Sequence, residues 1–266
     1  MSKVVWITGA SSGIGEQLVY KFSKEGYQVI LSSRKIADLE KVKSNCKNTT
    51  DNIKLLAFDL GNHNQIETTV KEAINLFGKI DVLINNGGIS QRSLAQNSSF
   101  EVYEKIFNVN QIGTIKLSQA LLPHFIDKKL GHYINVTSIA GVAGLPYRTA
   151  YCASKYAVEG YFAALRVELS NKNIDITMIR PGAVKTNVGK NALIADGSQK
   201  GTTDNTIEEG LNPEIVANKI YKAYTAKKQF LFIPSSFLER FFYIVNKHFP
   251  SISAGLAKRK LKGVDS

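Results

Sequence analysis

Apolar residues fall along this chain in short unbroken runs, separated by longer stretches where they recur every three or four positions. The runs at 3–8, 27–32, 53–58, 80–85, 131–137, 174–180 and 229–233 read as strands. Helical spacing covers 14–25, 64–77, 100–122 and 152–170 between them. Runs of Val, Ile and Leu with no polar alternation belong to a sheet buried on both faces. Strand and helix alternating at this spacing predict an α/β fold, a doubly wound parallel sheet of about seven strands with helices on both faces.

Two regions break the rhythm. Residues 187–212 are polar and carry Gly189, Gly197, Gly201 and Gly210. A long mobile loop with room for one short helix is expected there, of the kind that serves as a lid or binding loop. After the last run, Phe237, Leu238, Phe241, Phe242, Val245 and Phe249 return to helical spacing within 235–262, and Ser235 or Ser236 can cap that helix. No repeat and no Pro/Ser-rich linker divides the chain, so 1–266 is read as one domain with a C-terminal extension at 235–266.

Composition narrows the picture. The chain has 266 residues, 44% hydrophobic and 21% charged, which excludes disorder as the main state. A chain of this length buries roughly 70–75% of its unfolded surface, so it needs no disulfide or metal. Cys46 and Cys152 form neither a disulfide framework nor a metal cluster, and a reducing compartment suits them. The longest aromatic-aliphatic run, 241–245, is far short of the ~20 residues of a membrane span. Met1-Ser2-Lys3 leads straight into the first strand without a signal-peptide pattern, and a cytoplasmic location is expected. The net charge of +12 favours acidic partners. Residues 227–266 hold eight basic residues against two acids. No nucleic-acid motif accompanies that charge, so nucleic acid is not an expected partner.

The first run ends in Thr8-Gly9-Ala10-Ser11-Ser12-Gly13-Ile14-Gly15, where a helix begins. Small residues let the backbone turn sharply and approach a pyrophosphate, and the helix start offers unpaired N–H groups. About 20 residues on, an NAD site would carry an acid for the ribose 2′-hydroxyl. Ser33, Arg34 and Lys35 stand there instead, which suits a 2′-phosphate and predicts NADP(H). Tyr151 and Lys155 lie at i and i+4, on one face of a helix. Ser138 ends the fifth run thirteen residues before Tyr151, and Asn110 stands inside the helical stretch 100–122.

The spacing Gly-x-x-x-Gly-x-Gly resembles that of the short-chain dehydrogenase/reductase family, and the resemblance covers residues 3 to about 233. It implies a Rossmann-type fold. Asn110, Ser138, Tyr151 and Lys155 match the family's catalytic tetrad in order and element. By resemblance Tyr151 is the general acid in reduction and the base in oxidation, and Lys155 lowers its pKa and holds the nicotinamide ribose. Ser138 donates to the substrate oxygen, and Asn110 holds a water of a proton relay. Asp59-Leu60 resembles the adenine contact, though a plain helix cap is nearly as good a reading. Asn86-Gly87-Gly88 matches the family's Asn-Ala-Gly with Gly87 for Ala. Pro181, Gly182, Val184 and Thr186 correspond to the turn that supports the nicotinamide amide. Cys152, next to Tyr151, is read as packing.

Residues expected near substrate are Ser138, Ile139, Ala140, Leu145, Tyr147, Arg148 and Tyr151, with Ser90, Gln91 and Arg92 opposite. The set is mostly apolar, so a hydrophobic small-molecule carbonyl or alcohol is expected. The runs 85–93 and 147–155 resemble the dehydrogenase/reductase member 7 subgroup, which implies lipid-like substrates. The N-terminal membrane anchor common in that subgroup is not expected here. Two alternatives remain open at this point: a 3-oxoacyl carrier-protein reductase and a non-catalytic NADP(H) sensor. The family also implies a homodimer or homotetramer through the helices near 100–122 and 150–170. For 235–262 three readings stand: an extra helix on the body, a cover or oligomer contact, or a peripheral contact with an anionic membrane. In the last, Lys247, Lys258, Arg259, Lys260 and Lys262 face outward.

Overall fold

Strands β1 (Val4–Thr8), β2 (Gln28–Ser32), β3 (Ile53–Leu55), β4 (Val82–Asn85), β5 (Gly131–Val136), β6 (Ile174–Pro181) and β7 (Phe230–Ile233) form one sheet. The computed structural model describes residues 2–46, 50–249, 251–253 and 255. The strand order is β3-β2-β1-β4-β5-β6-β7 and every pairing is parallel. The order therefore reverses between β1 and β4, and loops leaving the carboxyl ends of those strands diverge to open a crevice.

Helices α1 (Gly13–Lys24), α2 (Ile36–Ser44), α3 (Ile66–Phe77), α4 (Phe100–Ile106), α5 (Thr114–Lys128), α6 (Thr149–Glu168), α7 (Asn205–Glu208), α8 (Pro213–Thr225) and α9 (Phe237–His248) complete the described fold. Alternation within β1 divides the core. Val5 and Ile7 pack with Leu18 and Phe22 of α1 and Ile220 of α8. Val4 and Trp6 face the other way, toward Leu117 and Phe125 of α5 and Phe162 of α6. Both sheet faces are thus covered, which accounts for the unbroken apolar runs.

Several boundaries differ from the sequence expectation. The third strand stops at Leu55, although the Leu56 and Phe58 amides still donate to the Leu31 and Ser33 carbonyls. The stretch 100–122 is not one helix: a π-helical turn, Phe107–Gly113, separates α4 from α5. Gly113 sits so close to the Leu60 carbonyl that a Cβ would stand 2.2 Å from its oxygen, and Asn110 is pinned sideways to Ile89. Helix α6 begins three residues earlier than its apolar spacing suggests, which puts Tyr151 in the first turn.

The polar stretch 187–212 is tied down rather than loose. Leu193 exchanges backbone hydrogen bonds with Ser90 and Arg92, and the Ser99 amide donates to the Ala195 carbonyl. Helix α7 is the short helix expected there. After β7, Ser236 caps α9 by accepting from the Glu239 amide at 3.1 Å. The helix packs on the body, with Tyr243 against Phe232, and also lines the crevice with Leu238, Phe241 and Phe242. The basic residues Lys258, Arg259, Lys260 and Lys262 lie outside the described residues.

Candidate functional site

The crevice at the carboxyl ends of the strands is a cleft of about 1840 Å³. Gly9, Ser11, Ser12, Gly13 and Ile14 line it after β1, and Ser33, Arg34 and Lys35 after β2. Asp59 and Leu60 follow, then Asn86, Gly87 and Gly88 after β4. Ser138, Leu145, Arg148, Tyr151 and Lys155 form the middle, and Pro181, Gly182, Val184 and Thr186 the far wall. Gly15 and Asn110 stand behind this surface, as do Gln91 and Ala140, which the sequence put near substrate.

The first turn shows how the backbone makes a phosphate cradle. Ser12 starts α1 with extended backbone and its hydroxyl makes no cap hydrogen bond. Among the described residues the leading N–H groups of α1 therefore have no side-chain cap, and Gly13 and Ile14 line the cleft, an arrangement that fits a pyrophosphate. Gly13 has φ +59°, where a side chain is strained. At Gly15 a Cβ would stand 2.1 Å from the Gly9 carbonyl oxygen, so only glycine lets the helix pass that close. Asn86 clamps the turn from β4: its side-chain amide donates to the carbonyls of Thr8 and Gly9, both at 3.1 Å. The Thr8 hydroxyl accepts from the Asn86 and Gly87 amides, both at 3.0 Å. Asn86 and Thr8 thus shape the cradle, and Thr8 is a site residue the sequence named only as a neighbour. At Gly87, an added Cβ would lie 2.7 Å from Leu60 Cδ1, so the glycine makes room for that side chain.

The Asp59 carboxylate accepts from the Gly61 amide at 2.9 Å. It therefore closes its own turn and caps no helix. Arg34 and Lys35 are exposed at the cleft edge, and among the described residues neither is in an ion pair. The same edge holds a carboxylate the sequence reading overlooked: Asp38, in the first turn of α2, 3.7 Å from Lys41. With Lys41 paired to it, the edge keeps its positive surplus.

The chemistry converges around Tyr151. The Ser138 hydroxyl acts on its phenol, drawing its pKa down, and the Lys155 ammonium lies 5.7 Å from its ring centroid. Ser138 Oγ accepts from the Ala140 amide at 3.1 Å, which leaves its O–H to donate toward the cleft. Lys155 is buried and donates to the Val136 carbonyl at 3.3 Å. Burial pulls its pKa down to about 8, with the Glu159 carboxylate opposing. The tyrosine departs from expectation. Burial pushes the Tyr151 phenol up, and the cation that opposes this is Arg148, aided by the Ser138 hydroxyl. Lys155, buried and spending a donor on Val136, is not the group that draws the phenol down here. Burial likewise pushes the Cys152 thiol up, and its Sγ packs 3.9 Å from the Ala143 carbonyl, as expected of a packing residue.

The Asn110 side chain has a structural role. Its side chain accepts from the Ile89 amide and donates to the Ile89 carbonyl, both at 2.8 Å, and donates to Ser154 Oγ at 3.1 Å. It locks the segment after β4 to α6, and so sets Gly88 against Lys155. A Cβ on Gly88 would meet Asn110 Oδ1 at 3.0 Å and Lys155 Nζ at 3.5 Å.

Behind the site runs a network no motif announced. Glu159 of α6 takes two hydrogen bonds from Arg180 of β6, at 3.0 and 2.8 Å, and one from the Thr137 hydroxyl at 2.7 Å. Arg180 also donates to the Tyr243 hydroxyl of α9 at 3.0 Å. One turn earlier on α9, Glu239 accepts from the amides of Ala183 and Ser235, at 2.9 and 2.7 Å. A Cβ on Gly182 would overlap that carboxylate, so glycine is needed where α9 braces the Pro181–Thr186 turn. No sequence signal marked Glu239 beyond its place in the first turn of a helix.

A cradle at the reversal point of a doubly wound parallel sheet is the dinucleotide crevice of a Rossmann-type fold. This chain belongs to the short chain dehydrogenase family, a family of oxidoreductases, whose model matches residues 3–196. It is 38% identical over 245 residues to the human dehydrogenase/reductase SDR family member 7, covering 86% of this chain and 72% of that protein. Among solved structures, ElxO with NADP bound is similar at a TM-score of 0.77 and 27% identity, covering 90% of this chain and 99% of that one. The 3-ketoacyl-(acyl-carrier-protein) reductase of Brucella melitensis, complexed with NADH, matches at a TM-score of 0.77 and 26% identity, covering 88% and 97%. Two neighbours equally similar in fold hold different cofactors, so the phosphate preference has to be argued from this chain's own residues.

Proposed function

We propose that the protein is an NADP(H)-dependent oxidoreductase that transfers a hydride between nicotinamide and the carbonyl or secondary alcohol of a hydrophobic small molecule. The observation that carries this reading is the grouping of Ser138, Tyr151 and Lys155 on the wall of the same cleft as the phosphate cradle. The leading amides of α1 hold the pyrophosphate. Arg34 and Lys35, unpaired at the cleft edge, take the 2′-phosphate. Val184 and Thr186 sit where the nicotinamide amide is held, on the turn that Glu239 braces. When bound, the nicotinamide supplies or accepts the hydride.

The chain's own residues handle the proton. In reduction the Tyr151 hydroxyl gives its proton to the substrate oxygen, and in oxidation the phenolate takes it back. Ser138 donates to the same oxygen as negative charge builds there. Lys155, its pKa drawn down by burial to about 8, then returns a proton toward Tyr151. Leu145, Ile207, Leu238, Phe241 and Phe242 line the substrate end and favour an apolar body on the substrate. A 3-oxoacyl thioester is the second reading, supported by the reductase neighbour and by the net charge of +12, which suits an acidic carrier. Exposed Ile126, Tyr156 and Val167 on α5 and α6 support a homodimer or homotetramer through those helices. No helix of the described residues is long and apolar enough to cross a membrane.

Titration with NADPH and NADH by nicotinamide fluorescence, followed by a panel of ketones, aldehydes and 3-oxoacyl thioesters, tests the reading. NADPH binds tighter and Tyr151→Phe loses about 100- to 10,000-fold in turnover while still binding NADPH. Tighter NADH binding overturns the cofactor assignment. Turnover surviving in Tyr151→Phe overturns the mechanism, and NADPH binding with no turnover across the panel points to a sensor.

A further inference from the structure

At the substrate end of the cleft three cations share one carboxylate. Asp204, the N-cap residue of α7, takes Arg92 Nε on its Oδ2 at 3.2 Å and Lys200 on its Oδ1. Arg148 Nη2 stands 3.8 Å from that same Oδ2, beyond hydrogen-bond reach. Among the described residues the one hydrogen bond of the Arg148 guanidinium runs from Nη1 to Ser90 Oγ at 3.1 Å. The guanidinium is poorly hydrated, with 17% of its side chain exposed, and it lies 5.9 Å from the Tyr151 ring centroid. Arg92 is 4.9 Å from the ring of Tyr147, a residue held at φ +63° on the cleft wall.

A single carboxylate offsets one of these three charges, so the cluster keeps a surplus of two beside the reacting tyrosine. Glu101 and Glu104 also line the cleft, Lys105 follows directly after Glu104, and among the described residues neither glutamate is in an ion pair with the cluster. Burial without adequate pairing shows in Arg148 itself, whose pKa is pulled down by desolvation. A planar carboxylate already rests against Arg92 and Arg148, and the fork of donors on two guanidinium groups matches that shape.

We infer that Arg92 and Arg148 form a carboxylate subsite, and that the substrate is an oxo acid or hydroxy acid whose acid group takes the place Asp204 holds against them. Asp204 keeps Lys200 when the substrate carboxylate enters, so three cations then face two carboxylates and the cluster stays net positive. Arg148, the N-cap residue of α6, lies about two helical turns before Lys155 and 5.9 Å from the Tyr151 ring centroid. The acid group and the reacting carbonyl are therefore a short aliphatic chain apart, with the apolar remainder of the substrate under α9. This rests on the oxidoreductase reading above and narrows its substrate class.

Paired probes test it: acetoacetate, 4-oxopentanoate and 5-oxohexanoate, each against its methyl ester. Reduction by NADPH is followed, and the shift in Tm is measured with each probe in the presence of NADP+. At least one acid is preferred over its ester by about tenfold or more in kcat/KM, or alone raises Tm, since it makes charge-assisted bonds the ester cannot. Arg92→Met and Arg148→Met each bring that preference toward unity. Asp204→Asn, which leaves both guanidinium groups in place, raises it by removing the competing carboxylate. The subsite is overturned if every acid and its ester behave alike in both kcat/KM and Tm, if the preference survives both arginine variants, or if Asp204→Asn lowers it. Turnover of uncharged aldehydes with NADPH, measured alongside, reports separately on the oxidoreductase reading.

Discussion

The two ends of the cleft are built from different materials. The cofactor end is made of backbone: an uncapped helix start, glycines that let chains pass close, and carbonyls clamped by Asn86. The substrate end is made of side chains that reach across the sequence. Glu239 holds the Ala183 amide, Arg180 joins Glu159 to Tyr243, and Asn246 donates to the Val142 carbonyl at 2.6 Å from 104 residues away. A backbone cradle depends on local spacing and tolerates change elsewhere. A side-chain wall depends on which distant elements the fold brings together, and it can be refitted one residue at a time.

The sharpest way to break the substrate end is at Glu159. Its carboxylate takes three hydrogen bonds and is almost wholly buried. Glu159→Ala strands the Arg180 guanidinium, and removing one partner of a buried pair costs about 3–5 kcal/mol. Urea unfolding measures that loss. If the contrast between the two ends is right, the folded fraction still binds NADPH, because nothing in the cradle touches Glu159. An equal loss of NADPH affinity would dissolve the distinction.

The reverse experiment is Gly15→Ala. The added methyl meets the Gly9 carbonyl at 2.1 Å, and overpacking of this kind costs about 1–3 kcal/mol as the turn shifts. NADPH binding is lost with it, while the Arg180–Glu159–Thr137 network stays intact. Fluorescence titration and urea unfolding of the same variant separate the two effects.

The same division explains what was legible beforehand. Parallel strands, a glycine turn and the i, i+4 pair of Tyr151 and Lys155 all write themselves into short windows of sequence. Asn110 illustrates the limit. Its position in a helical stretch was plain, but its bond to Ile89 forms only because a π turn swings it there. Leu60 against Gly113 decides that turn from 53 residues away in sequence. Asp204 is similar, an ordinary acid in a polar stretch until the loop folds back along Ser90 to Arg92 and sets it among three cations.

Lys155 stands where the two ends meet, and its burial has a pH signature. Its pKa falls from 10.5 to about 8 on folding. Between those values the unfolded chain binds a proton that folded Lys155 has released, so stability from this group rises with pH. The burial cost is fully present below pH 8 and is relieved toward 10.5, with a slope of up to about 1.4 kcal/mol per pH unit. Tyr151 and Cys152 act oppositely, since burial raises both above their unfolded values. The informative quantity is therefore the difference between the wild type and Lys155→Met, which takes that slope between pH 8 and 10 and is flat below pH 7. A flat difference throughout would mean that Lys155 is hydrated in the folded protein.

The smallest effect tests how far α9 belongs to the site. Ser236 caps that helix, and its loss costs about 1 kcal/mol or less of local stability. Glu239 lies three residues on and holds the Ala183 amide, so fraying the first turn loosens the wall next to Val184 without touching any cleft-facing side chain of the cradle. In Ser236→Ala, amide exchange at Ala183 quickens and KM for NADPH rises by a few-fold at most, while discrimination between NADPH and NADH, set across the cleft at Arg34 and Lys35, does not move. A change in that discrimination would show that the two ends are coupled through the Pro181–Thr186 turn, and that backbone cradle and side-chain wall form one unit.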